Sequence, residues 1–212
     1  MNNNLKNALR APYRKLRAHL LDTREWSQRA YAAPSPKSVK DEVLLRNGLP
    51  NATWVETGTF LGETTSLLAA NALKVFSVEP EATLFSRAVK KFSDQPHVKI
   101  VNGPSESVFP SLLPTLSGDV NFWLDGHYSA GVTFKGDLET PIIEELAQIE
   151  ANLGRFNGLS VLVDDVRCFD PGNPEYSTYP PIDFLVDWAR RNKLGWHIEH
   201  DIFVARRAPQ AA

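Results

Sequence analysis

The chain has one cysteine, one methionine, no long apolar run and no large surplus of either charge. Each shortage excludes something. A lone Cys168 cannot support an internal disulfide framework, which suits a reducing compartment. A bilayer-spanning helix needs about 20 consecutive apolar residues, and no stretch approaches that. Lys6, Arg10, Arg14, Lys15 and Arg17 interrupt the region where a signal-peptide core would lie, so a cytoplasmic setting is expected. The net charge of −2 gives no electrostatic case for nucleic acid as the main partner. What remains is ordinary for a globular protein: 42% hydrophobic and 23% charged residues in 212, enough for one domain with a small appendage.

That appendage is expected at residues 1–37, ahead of a domain at 38–212. Leu5, Leu9, Leu16, Leu20 and Leu21 recur at roughly helical spacing among many Arg and Lys. Two readings stand. One is a basic amphipathic helix touching an anionic membrane surface or a partner, including a second copy in a homodimer. The other is one or two helices packed on the domain with solvated basic faces; Pro12 and the thin apolar stripe favour it. Ala33-Pro34-Ser35-Pro36 reads as a linker.

From Ser38 onward helix-like and strand-like segments alternate. Strands are expected at 53–57, 74–78, 98–101, 120–124 and 159–163. Helices are expected at 40–47, where Gly48 stops the pattern, and at 63–72, 82–92, 106–116, 138–153 and 181–192. The stretch from Gly195 to Arg206 alternates as a hairpin does. Strands separated by helices imply an α/β fold, a doubly wound, mostly parallel sheet covered on both faces. In such a sheet ligands bind outside the carboxyl ends of the strands. Those ends carry Glu56, Glu79, Ser105 with Glu106, Asp125, and Asp164 with Asp165. A purely structural sheet has no need to collect acids on one edge.

The most informative stretch is Val55-Glu56-Thr57-Gly58-Thr59-Phe60-Leu61-Gly62-Glu63-Thr64-Thr65. An apolar strand ends in a carboxylate, and two glycines four residues apart lead into a helix-like run. Glycine lets backbone approach a ligand where a Cβ would collide, and the new helix offers free N–H groups to the same place. A dinucleotide site wants G-x-G-x-x-G to meet a pyrophosphate; here there is no third glycine, and an acid precedes the turn. That acid suits a cationic sulfonium or amine better than a pyrophosphate. Glu79, closing the next strand in Val78-Glu79-Pro80, is suited to hold ribose hydroxyls.

With these motifs, and with Asn102-Gly103-Pro104-Ser105-Glu106 after the third strand, residues 50–206 resemble the class I S-adenosylmethionine-dependent methyltransferases. The resemblance implies a Rossmann-like seven-stranded sheet with a C-terminal antiparallel hairpin. It implies that Glu56, Gly58, Thr59, Gly62 and Thr64 line the methionine portion of the cofactor, joined by Asp125. It implies that Glu79 holds the ribose and that Ser105 with Glu106 borders the adenine.

Leu124-Asp125-Gly126-His127-Tyr128 and Val163-Asp164-Asp165-Val166-Arg167 narrow the subgroup. Three carboxylates converging from two strand ends repel one another unless a cation intervenes, and oxygen ligands suit Mg²⁺ or another hard divalent ion. The chain resembles the metal-assisted sugar O-methyltransferases, with Asp125, Asp164 and Asp165 matching their metal ligands. Members often carry a further acid where His127 stands, which makes His127 a candidate base. Asp164 and Asp165 have a structural alternative, capping or pairing with Arg167. The polar loop from Ser129 to Asp137 could close over substrate or simply connect. Glu144 and Glu145 read as solvated first-turn helix acids. The resemblance points to a sugar, a glycan in surface polysaccharide biosynthesis or another small hydroxyl compound as acceptor. A nicotinamide-dependent oxidoreductase and a non-catalytic cofactor-binding or assembly protein are the rivals.

Overall fold

The computed structural model describes residues 20–125 and 140–207. Residues 20–28 are helical and are labelled α1. The order after it is α2 (Lys37–Asn47), β1 (Thr53–Thr57), α3 (Glu63–Ala69), β2 (Lys74–Glu79), α4 (Ala82–Lys91), β3 (Val98–Asn102), α5 (Ser105–Leu112) and β4 (Gly118–Leu124). Then come α6 (Ile142–Asn152), β5 (Phe156–Val163), α7 (Ile182–Arg191), β6 (Gly195–Glu199) and β7 (Ile202–Arg207). The strands form one seven-stranded sheet in the order β3-β2-β1-β4-β5-β7-β6. All pairings from β3 to β5 are parallel, and β7 runs antiparallel to both β5 and β6. The expected Rossmann-like architecture with a terminal hairpin is the one observed.

Alternation along the strands sorts the core into two layers. Val55, Val78, Phe122, Leu124 and Val161 face α5, α6 and α7, where Phe109, Leu146, Ile149 and Trp188 complete the larger cluster. Trp54, Val75, Trp123 and Leu162 face the other way, onto Val43 and Leu44 of α2 and Leu68 of α3. Burial on both faces explains why Leu159 to Val163 of β5 reads as an almost continuous apolar run.

Gly48 caps α2 where the sequence suggests, though without left-handed backbone. Its φ is −66° and ψ 144°, which any residue adopts. It is small because Trp54 lies over it: a Cβ there would sit 2.3 Å from the Trp54 ring. The linker also does more than connect. Ser35 is buried and its hydroxyl donates to the His200 carbonyl at 3.0 Å. Trp26 of α1 is 6% exposed and meets the His200 ring edge-on at 5.2 Å. The segment therefore docks on the turn between β6 and β7.

The order of strands reverses between β1 and β4. The register there is Thr57 beside Leu124, and Leu124 beside Val163. The residues that follow, Gly58, Asp125 and Asp164, emerge side by side at this switch point.

Candidate active site

The glycine turn is held from three sides. After β1 ends, the N–H groups of Gly58 and Thr59 both donate to the Val78 carbonyl, at 3.0 and 3.2 Å. Gly58 has φ +84° and Gly62 φ +68°, the region open to glycine at little cost. Gly62 is the residue immediately before α3, and a Cβ on it would lie 2.9 Å from the buried Phe92 ring. Lys91 donates to the carbonyls of Leu61 and Gly62 at 2.9 and 2.6 Å.

Glu79 supports the same turn. One of its oxygens accepts from the Phe60 N–H at 2.8 Å and the other from the Glu81 N–H at 3.0 Å. Burial pushes its pKa up, against the pull of those two bonds. An ionised carboxylate offers about four acceptor sites, so capacity for two hydroxyls remains.

Glu56 sits behind the turn rather than at its surface. It is fully buried, and one oxygen accepts from the hydroxyls of Thr65 at 2.5 Å and Ser77 at 2.6 Å. Its other oxygen is buried without a partner among the described residues. Burial raises its pKa to about 7, opposed by the Ser77 and Thr65 hydroxyls. The resemblance puts Glu56 against the methionine portion; the structure gives it α3 and β2 as neighbours.

A cavity of about 370 Å³ opens on this edge. Gly58, Thr59 and Thr64 line it from the turn, Asp125 and Asp164 from the strand ends, and Lys40 from α2. Gly58, Thr59 and Thr64 of the expected methionine end and Asp125 and Asp164 of the expected acceptor end share this cavity, whereas Glu56, Gly62 and Asp165 do not line it. Glu79, Ser105 and Glu106 do not line it. Ser105 is buried at the start of α5, while Glu106 is exposed.

The acids converge as the sequence predicts. One carboxylate oxygen from each of Asp125, Asp164 and Asp165 lies within 4.8 Å of the others. The ladder carries Asp125 and Asp164 together, since the Asp164 N–H still donates to the Leu124 carbonyl at 3.1 Å. Asp165 then turns in with left-handed backbone, φ +57°. What the sequence did not reveal is the cation already there. Lys40 places its ammonium 2.7 Å from Asp164 Oδ2 and 3.0 Å from Asp165 Oδ1. Arg167 reaches Asp165 Oδ1 at 2.6 Å and also pairs with Asp201. Burial would lower the Lys40 pKa, but Asp164 and Asp165 outweigh it and hold it above its usual value. Asp164 is pushed up to about 7 by burial and by Asp125 and Asp165, with Lys40 opposing.

His127 and the loop from Ser129 to Asp137 lie outside the described residues. Glu145 is a correction. Glu144 is exposed as expected, but Glu145 is 1% exposed. Burial raises it to about 7, with Ser105 and Thr57 as the hydroxyls favouring its charged form. It lies on the buried stripe Ile142-Glu145-Leu146-Ile149 of α6, a spacing readable in the sequence. Lys40 had a similar signal: Lys40, Leu44 and Asn47 fall on one face of α2, and the latter two are buried.

No protein-family model matches this chain, and no curated protein does. Solved structures match its fold. SMU.1697c of Streptococcus mutans, assigned as a methyltransferase and solved in complex with SAH, superposes with a TM-score of 0.51 at 12% identity, over 84% of this chain and 100% of that one. The N-methyltransferase NodS of Bradyrhizobium japonicum does so with 0.51 at 13%, over 82% and 97%. The 23S rRNA methyltransferase ErmE gives 0.51 at 13%, over 83% and 69%. The chain therefore has the Rossmann-like fold that these methyltransferases share. At 12–13% identity the likeness carries the fold and fixes no acceptor.

Proposed function

We propose that this protein is an S-adenosylmethionine-dependent methyltransferase that moves a methyl group to a hydroxyl of a sugar, a glycan or another small molecule. The observation that carries this is the shared cavity, in which Gly58, Thr59 and Thr64 meet Asp125 and Asp164. Donor and acceptor must be held in line beside one another, and alignment is most of what this reaction asks of a protein.

When bound, the cofactor would give its methyl carbon, already activated on a sulfonium, to the acceptor oxygen and keep the electron pair of the broken carbon–sulfur bond on sulfur. The chain does the rest. The glycine turn admits the cofactor's chain to the backbone, Glu79 holds the ribose, and Ser105 with Glu106 borders the base. His127, aided by Asp125, takes the hydroxyl proton; a neutral imidazole has the right affinity near pH 7. The acid at Asp125, on the cavity wall, favours a cationic donor over its demethylated product.

Metal assistance belongs to the same proposal in a restricted form. Asp125, Asp164 and Asp165 have the donor atoms and the reach for a hard divalent ion, which would lower the acceptor hydroxyl's pKa. Lys40 is bonded to two of the three, so the present arrangement does not fit an added ion.

Residues 1–37 are proposed as an extension to the methyltransferase domain, with peripheral membrane contact or pairing of two copies as the roles it could serve. No helix among the described residues is long and apolar enough to cross a membrane. The test of the reaction is transfer of labelled methyl from S-adenosylmethionine to a panel of nucleotide-linked sugars, glycans and phenols. Label should appear on at least one acceptor and fall at least about 100-fold in Asp125→Asn or His127→Ala, the scale of lost general-base catalysis. Label transfer that both variants leave intact contradicts the assigned roles.

A further inference from the structure

We propose that Lys40 is the built-in cation of the Asp125, Asp164 and Asp165 centre, and that a divalent ion enters only by displacing its ammonium. The placement of an acceptor at this centre rests on the methyltransferase reading; the cation exchange does not.

Three carboxylates whose oxygens lie within 4.8 Å of one another need positive charge between them. Lys40 supplies it at the lengths of charge-assisted bonds, 2.7 Å to Asp164 and 3.0 Å to Asp165. The side chain is 17% exposed, and its helix is anchored. Val39, Val43 and Leu44 are buried beside it. The Asn47 side chain bonds Glu199 at 2.6 Å, and the Ser160 hydroxyl bonds the Asn47 carbonyl at 2.8 Å. Such a lysine is not a surface group that has wandered in.

The second cation strengthens the case. Asp165 Oδ1 accepts from Lys40 and Arg167 together, and Arg167 is fixed in turn by Asp201 and its neighbours. A divalent ion placed among these acids would meet one full positive charge at contact distance and a second held on the same Asp165 oxygen. Repulsion of that kind is severe in a half-buried site. Lys40 also lines the cavity beside Gly58 and Thr59. Its ammonium is therefore placed to hold an acceptor oxygen by a hydrogen bond, a positioning role that a metal fills in other designs.

Mn²⁺ alone is the probe, with free ion followed by electron paramagnetic resonance and no cofactor or acceptor present. Wild-type protein should bind no Mn²⁺ below about millimolar concentration. Lys40→Met and Lys40→Gln should each bind one equivalent at least about tenfold more tightly, the least expected from removing an adjacent like charge. The double variant Lys40→Gln with Asp164→Asn should lose that gain. Tight binding by the wild type, or no gain in a folded Lys40 variant, overturns the proposal; Lys40→Gln, polar and of similar length, provides the answer if Lys40→Met fails to fold. Calorimetry with SAH on the same samples separates the claims: absence of SAH binding in every sample sinks the methyltransferase reading and leaves the Mn²⁺ result to stand.

Discussion

Glu56 and Glu145 are carboxyls sealed in the core on opposite faces of the sheet, each raised to about 7 chiefly by burial. A raised carboxyl makes the native state bind its proton more tightly than the unfolded chain. Stability from each group is therefore greatest below its ordinary value of 4.5 and falls as pH climbs toward about 7. Glu145→Gln should match wild type only below 4.5, at about pH 4, and exceed it at about pH 8, by on the order of 1–3 kcal/mol, the scale of such a shift. Denaturant melts at the two pH values check this, and an equal difference at both contradicts it. Individual residues were unevenly legible in the sequence. Asp125, Asp164 and Asp165 could be named because strand ends in this topology meet at one edge. Glu56 could be singled out at the end of its strand, but its partners Thr65 and Ser77 come from the next helix and the next strand, and only packing brings them together. Lys40 was missed because it lies on α2, well before the first motif, where nothing local links it to Asp164.

Among the elements, the turn between β1 and α3 is the most constrained. Gly62 combines φ +68° with a buried aromatic ring where a Cβ would go, whereas Gly118 has φ +80° with open space around it. Gly118→Ala should cost about 1 kcal/mol for backbone conformation alone. Gly62→Val adds the clash and should cost at least about 2–3 kcal/mol, and it should weaken SAH binding as well. Equal melts for the two variants contradict the packing account. Trp26 makes a second test. Its indole N–H bonds the Ala32 carbonyl at 2.9 Å, and its ring packs on Tyr31 and His200. Trp26→Ala should release the segment before α2 to limited proteolysis while leaving the sheet's stability nearly unchanged. Element boundaries were legible to within a few residues where a buried strand is mostly apolar, as in β5. Pro110 inside α5 and the short 3₁₀ turn after that helix cut it shorter than its pattern suggested.

For the whole molecule, the fold follows from alternation of strands and helices, and the site follows from the fold. A sheet that reverses order between β1 and β4 has its crevice there, and this chain lines it with a glycine turn and acids at once. What the sequence left open is the balance of charge within the crevice, because that depends on a lysine and an arginine delivered from distant segments. The acceptor stays a proposal for the same kind of reason: the residues that would touch it include His127, beyond the described segments. The most direct test of the central claim is calorimetric titration of the purified protein with SAH, run beside NAD. One equivalent of SAH bound, weakened in Glu79→Ala and in Gly62→Val, with no heat from NAD, is the predicted result. No SAH binding, or binding of NAD in its place, would contradict the account.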